Sequence, residues 1–272
     1  MSRSGWTAAL VAAGSLLGCA TAPPSVTKLV GDRVVVTRAI SPEAYEHVAR
    51  ALLYEGEERW EEAADELQRA LSFDADAAEV RADLAELFIR LDRLDDAGEQ
   101  IDRSLETAPT VEGYLARAHL DDARHDGARA REALRSALNA ALDGGDPEAI
   151  ERTDLELADA QVVGLDLPAA LETLRALEGA VPDTLRGRTQ HAAVAWALGL
   201  LEESEAALRG ALEREPADVD ARLLLGELEA AEGRTREAKV TFAEAVERAD
   251  VPLQIADGVA GWLVQRGELA EA

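Results

Sequence analysis

Small and aliphatic residues recur along this chain at offsets of four and seven, with Glu, Asp and Arg between them. One set runs Ala63, Ala97, Ala130, Ala170, Ser204, Ala238 and Ala272, at spacings of 34, 33, 40, 34, 34 and 34. Four residues after each of the first six stand Leu67, Ile101, Leu134, Leu174, Leu208 and Phe242. Seven residues after them stand Ala70, Ser104, Ala137, Leu177, Ala211 and Ala245. Those offsets put the three positions of each unit on one helical face. A second set, Ala51, Ala85, Ala118, Ala158, Ala192, Gly226 and Ala260, lies twelve residues before each anchor and predicts a preceding helix. Pro109, Pro182, Pro216 and Pro252 punctuate the unit ends, and Gly199, Gly233 and Gly267 mark the turns inside units.

The pattern therefore predicts a string of two-helix units. Ala or Gly lets the two helices of a unit approach, and Leu or Phe fills the space between them. A single hairpin cannot bury its own apolar faces, so neighbouring units must stack. Ser41-Pro42-Glu43 reads as the first helix start, with Ser as N-cap, Pro in the first turn and an acid beside it. Between the third and fourth units six extra residues fall near Gly144-Gly145-Asp146-Pro147. They predict a longer loop that bends the array.

A 34-residue unit of two helices with small residues at these offsets resembles the tetratricopeptide repeat (TPR). The clearest copies span 78–111 and 219–252. In the latter, Leu225-Gly226, Gly233, Ala238, Phe242, Ala245 and Pro252 fall where the family pattern wants them. The resemblance covers about residues 44–272. It implies an all-α protein: a right-handed α-solenoid of about six TPR-type hairpins plus a partial seventh, occupying 42–272. Several copies depart from the pattern. His191 and Arg117 stand where an apolar residue is usual, and Leu177 replaces a small one. The seventh copy begins near Leu253 and stops at Ala272, inside its second helix. Either the chain is truncated or the half-repeat is a cap. Trp262 and Leu263, left without full partners, favour truncation, because a terminal cap ordinarily carries a polar outer face.

The N-terminus follows another pattern. Arg3 is followed by an uncharged apolar run from Trp6 to Leu17, too short to span a bilayer but of the length of a signal-peptide core. It ends in Leu16-Leu17-Gly18-Cys19, which resembles the lipobox of bacterial lipoproteins, and Cys19 is the only cysteine in the chain. The resemblance implies a signal peptide over 1–18, cleavage before Cys19, and a diacylglyceryl thioether with N-acylation on that residue. Several acyl chains anchor durably where one does not. Ala20 rather than Asp after the cysteine favours the outer membrane, facing the periplasm. Residues 19–41 are expected to be the lipidated cysteine and a flexible tether. Within it, Lys28 to Thr37 is β-prone, and the sequence leaves open whether it docks or hangs as a loose arm.

Composition narrows the function classes. Of 272 residues, 54 are acidic and 28 are Lys or Arg, giving a net charge of −26. Such a chain has no basic surface for a run of phosphates, which argues against nucleic acid. Most carboxylates are expected on solvated helix faces, with steering of a basic partner the sharper alternative. Only 4% of residues are aromatic, whereas Ala and Leu abound, as suits helices.

No HExxH, CxxC, phosphate-cradling glycine loop or GxSxG occurs. His119, Asp122 and His125 stand three apart and could gather weak ligands, but they read more simply as solvent-facing polar residues. No catalytic constellation and no cofactor is expected, apart from the lipid on Cys19, and no metal site.

Function must then come from surface shape. The family resemblance implies a groove lined by the first helices of successive units. Its usual offsets fall on Leu52 and Glu55, then Ala82, Glu86, Ile89 and Arg90, then Leu115, His119 and Asp122. In later units they fall on Leu155, Asp159 and Val162, on Ala193 and Trp196, and on Leu223 and Glu227. A protein partner with alternating apolar and basic residues would suit such a surface. Trp196 is either an exposed hot spot or an inter-helix packing residue, and Trp60 is expected in the core. The groove lacks the Lys/Asn set that clamps C-terminal carboxylates in chaperone-binding relatives.

These readings give a lipid-anchored scaffold or assembly factor, similar to pilotins or barrel- and secretion-assembly lipoproteins. The alternatives are an accessory component of envelope polysaccharide export, and the N-terminal scaffold of a longer enzyme.

Overall fold

The computed structural model describes residues 25–30, 33–38 and 41–248. The expected signal-peptide segment, Cys19 and the expected partial seventh unit lie outside the described residues. Two strands come first, β1 (Ser25–Val30) and β2 (Arg33–Arg38), paired antiparallel with Val30 opposite Arg33 and Ser25 opposite Arg38. The stretch left open in the sequence is therefore paired with itself as a hairpin. The Val-rich runs favour extended backbone, and Gly31-Asp32 between them is a two-residue hairpin signature.

Twelve helices follow among the described residues, in six hairpins. The first helices of the hairpins are α1 (Pro42–Gly56), α3 (Ala78–Arg90), α5 (Val111–Ala123), α7 (Pro147–Val163), α9 (Leu185–Ala197) and α11 (Val219–Ala231). The second helices are α2 (Trp60–Phe73), α4 (Leu94–Thr107), α6 (Gly127–Gly144), α8 (Leu167–Ala180), α10 (Leu201–Arg214) and α12 (Thr235–Arg248). Each first helix packs on its own second helix, and each second helix on the next first helix, which is the stacking of an α-solenoid.

The starts and turns follow local chemistry. Ser41 caps α1 by accepting the Ala44 N–H at 3.0 Å, with Pro42 in the first turn, as its sequence predicts. Thr110, Thr184 and Asp218 cap α5, α9 and α11 in the same way. The turn inside every hairpin places one residue at positive φ: Glu58, Asp92, His125, Leu165, Gly199 and Gly233. In each, the next N–H reaches back to a carbonyl of the first helix, as Arg59 does to Tyr54 at 2.9 Å and Arg234 to Glu229 at 2.8 Å.

All the small and aliphatic repeat positions of the six described units are buried, Ala63, Leu67 and Ala70 among them. Where serine takes an alanine slot it also bridges helices. Ser104 Oγ donates to the Ala78 carbonyl at 2.7 Å and Ser204 Oγ to that of Ala192 at 2.8 Å. Ala82, Leu115 and Leu155, assigned to the groove from their offsets, belong to this core instead. They stand three residues before the packing alanine, on the same helical face.

The junction between the third and fourth units also differs from expectation. The extra residues do not form a longer loop. They lengthen α6 to 18 residues and α7 to 17, against 14 for α8 and 13 for α9. Ala140-Ala141-Leu142 continues the helix, Gly145 ends it at φ 69°, and Asp146 caps α7 with Pro147 in its first turn. The first helices α5 and α7 do not pack along each other as α3 packs along α5, and neither do α1 and α3.

Candidate functional site: an acidic groove on the first helices

The first helices of the second, third and fourth units are joined by one side chain. His119 on α5 faces Glu86 on α3 through Nδ1 at 2.7 Å and Glu156 on α7 through Nε2 at 3.2 Å. The hydrogen bonds to Glu156 and Glu86 outweigh partial burial and push the imidazole up to about 10. It is therefore a cation at neutral pH, held between two carboxylates. His119 is exposed, as expected, and the sequence did not show that it pairs with both carboxylates. Two further contacts cross units on the same side: Gln190 on α9 donates to Asp159 on α7 at 3.2 Å, and Arg152 on α7 meets Glu112 on α5 at 3.5 Å.

Carboxylates outnumber cations along this surface. Asp83 is reached by solvent, yet the neighbouring helices enclose it enough to strip part of its hydration. That desolvation, and then the like charges of Glu55, Glu112, Glu79 and Glu86, push its carboxyl up to about 7. Partial burial also raises Glu55, against the attraction of Arg90. Further along, a cavity of about 530 Å³ is lined by Glu112, Asp146, Glu148, Glu151, Glu156 and Asp159, with Arg152 and Arg186 as its cations.

A second cavity, of about 500 Å³, opens between the end of α5, the N-terminal half of α6 and the C-terminal half of α7. Ala118, Ala130, Leu134, Ala160 and Val163 give it an apolar wall. His119, Asp122, Glu156 and Asp159 stand on its other side, so the two cavities share Glu156 and Asp159.

The groove residues expected from sequence divide into three groups. Glu86, His119, Asp122 and Asp159 form or border the polar surface just described. Leu52, Ala193 and Glu227 are exposed on α1, α9 and α11. Ile89, Val162, Trp196 and Leu223 are half-buried against the core, so Trp196 acts as an inter-helix packing residue. Trp60 is likewise half-buried on the core, with the Arg90 guanidinium stacked 4.3 Å from its ring centre.

Sequence reasoning missed Asp83, Glu112, Glu156 and Arg131. Asp83, Glu156 and Gln190 share one offset, two residues before the packing alanine, and that polar recurrence was the available signal. Among the described residues, no group of three or more His, Cys, Asp or Glu side chains is arranged to hold a metal ion. No described helix is long and apolar enough to cross a membrane.

A second histidine is held differently. His191 is buried beneath α10, with Nδ1 2.5 Å from Glu178 and Nε2 2.8 Å from Glu203. Arg175 binds Glu203 with two bonds of 2.7 Å, and Arg188 pairs with Glu178 at 3.2 Å. Arg175 and then His191 hold the Glu203 carboxyl down at about 2. This closed network explains how His191 occupies an otherwise apolar position.

A family model described as "Tetratricopeptide repeat" matches residues 54–120. Three solved structures share the fold over most of their own length. The TPR protein YrrB, described as having an unusual peptide-binding site, is 17% identical, with a TM-score of 0.53 over 72% of this chain and 98% of its own. PilW, a type IV pilus biogenesis factor, is 18% identical, with a TM-score of 0.58 over 75% and 92%. PilF of Pseudomonas aeruginosa is 15% identical, with a TM-score of 0.60 over 80% and 97%. Among curated proteins none matches the sequence. At these identities the likeness is one of fold, and the array is an α-solenoid of TPR type.

Proposed function

We propose that this chain is a lipid-anchored protein-interaction scaffold of the bacterial envelope, which presents its acidic groove to a partner with basic and apolar residues. The observation that carries the binding half is the groove itself. Packed helices bring Glu86, His119 and Glu156 together across three units, and further carboxylates, Asp83 and Glu112 among them, continue along the surface. Complementary charge raises the encounter rate and selects the partner more than it adds affinity. Nothing in the groove requires catalysis, and the reading is non-enzymatic.

The anchoring half rests on Leu16-Leu17-Gly18-Cys19 after a short apolar run, with lipid on Cys19 and the outer membrane as destination. An assembly role agrees with the fold shared with PilW, a pilus biogenesis factor. Two measurements test the halves separately. Cys19→Ala should move the protein from the membrane fraction to the soluble periplasm, and persistence at the membrane sinks the anchor. Affinity capture from detergent-solubilised envelopes should retain a protein on the native chain and lose it with Glu156→Lys/Asp159→Lys. Equal retention by both sinks the groove.

A further inference from the structure

We infer that the cavity between α5, α6 and α7 receives one large apolar side chain of a partner segment whose flanking residues are basic. The inference rests on the scaffold reading above and locates its point of specificity. The cavity is walled by the N-terminal half of α6 and the C-terminal half of α7, beside the end of α5. Its volume of about 500 Å³ accommodates a leucine or phenylalanine side chain with adjoining backbone.

Three observations specify the occupant. One wall is apolar, made by Ala118, Ala130, Leu134, Ala160 and Val163, and the apolar surface continues past the mouth. There Val163 and Leu165 are 83% and 87% exposed. Leu165 also takes the positive-φ turn position, which costs a residue with a Cβ and which Gly199 and Gly233 fill in later units. An exposed, strained leucine is a poor choice for water and a reasonable one for a partner's apolar surface.

The opposite side carries Asp122, Glu156 and Asp159, and Asp122 and Asp159 are exposed. A lysine or arginine on either side of the apolar anchor would meet them.

The third observation is Arg131, a half-buried wall residue. It has no carboxylate within ion-pair distance among the described residues. Its guanidinium lies over Gly164, where an added Cβ would come within 2.8 Å of Nη1. The C-terminal end of α7 suits a cation there, and the remaining N–H groups are free to donate to a backbone carbonyl of the bound segment.

The test uses fluorescein-labelled heptapeptides Lys-Leu-Lys-Z-Lys-Leu-Lys, with Z as Phe, Leu, Ala or Asp, titrated against the full chain by anisotropy. Phe and Leu should bind about tenfold or more tighter than Ala, as for a buried anchor, and Asp weakest. Ala160→Phe, which fills the cavity, should erase the preference for Phe over Ala. Benzophenone-alanine at Z should cross-link the unaltered protein within 118–134 or 156–165, which keeps the proposal testable if Ala160→Phe does not fold. Equal binding of Phe and Ala peptides to the native chain, or cross-links elsewhere such as α9, overturns the pocket and leaves the groove standing. Failure of every peptide to bind overturns both.

Discussion

His119 Nδ1 lies 2.7 Å from a Glu86 carboxylate oxygen, although 33 residues separate them in the chain. With Glu156 on its other ring nitrogen, the imidazolium spans α3, α5 and α7, of which α3 and α5 pack closely and α5 and α7 do not. The groove is thus tied by charge where packing is absent.

That bridge predicts a pH dependence. The folded-state value of about 10 lies above the ordinary 6.5. A group raised on folding contributes fully below its unfolded value and is lost as pH rises through its folded one. Thermal stability should therefore decline between about pH 6.5 and 10, and His119→Gln should flatten that part of the Tm–pH curve. His119 is partly exposed and screened, so high salt should shrink the difference. An unchanged slope in the variant refutes the bridge.

Asp83 should work in the opposite sense. Its carboxyl is raised from 3.8 to about 7, so ionisation disfavours the folded state and stability falls as pH rises between those values. Asp83→Asn should unfold at higher urea than the native chain at pH 8 and show little difference at pH 4. A bound basic peptide should reduce the advantage, because it supplies the missing counter-charge. Equal urea midpoints at pH 8 contradict the account.

Glu203 governs the acid side. Its carboxyl sits at about 2 rather than the ordinary 4.5, so its contribution is present above about 4.5 and disappears as pH falls towards 2. Glu203→Gln removes one acceptor from both Arg175 and His191 and should lower stability at pH 7. The same variant should approach the native chain near pH 2, by circular dichroism. His191→Leu restores the residue type of Leu84, Leu157 and Leu225 at this offset. It should be milder, because Arg175 and Arg188 still pair the two carboxylates.

Gly226 and Phe242 form a matched pair. A Cβ at 226 would lie 2.7 Å from Phe242 Cε1, and the other described units combine Ala at this offset with Leu or Ile opposite. Gly226→Ala should cost about 1–3 kcal/mol through overpacking, despite its better helix propensity. Phe242→Leu should recover most of the loss in the double variant. Additive urea midpoints for the two substitutions would show that they do not compensate.

The sequence by itself determined the repeat, the six described hairpins, their turns and almost every core position. Burial in a solenoid is local: a residue's offset from its packing alanine decides which face it occupies, and that offset is one-dimensional information. Even the irregular copies obeyed it, since Ser104 and Ser204 kept their slots by donating to a neighbouring carbonyl. Only the tertiary structure decided which polar residues meet. His119 reaches Glu156 rather than Asp159, which holds the homologous offset on α7. Whether six extra residues lengthen helices or form a loop depends on how Ala140-Ala141-Leu142 packs and where Gly145 stops the helix. The cavity beside Arg131 and the gap between first helices that His119 bridges were not legible either, because helix register and separation are set by packing between units rather than by spacing within one.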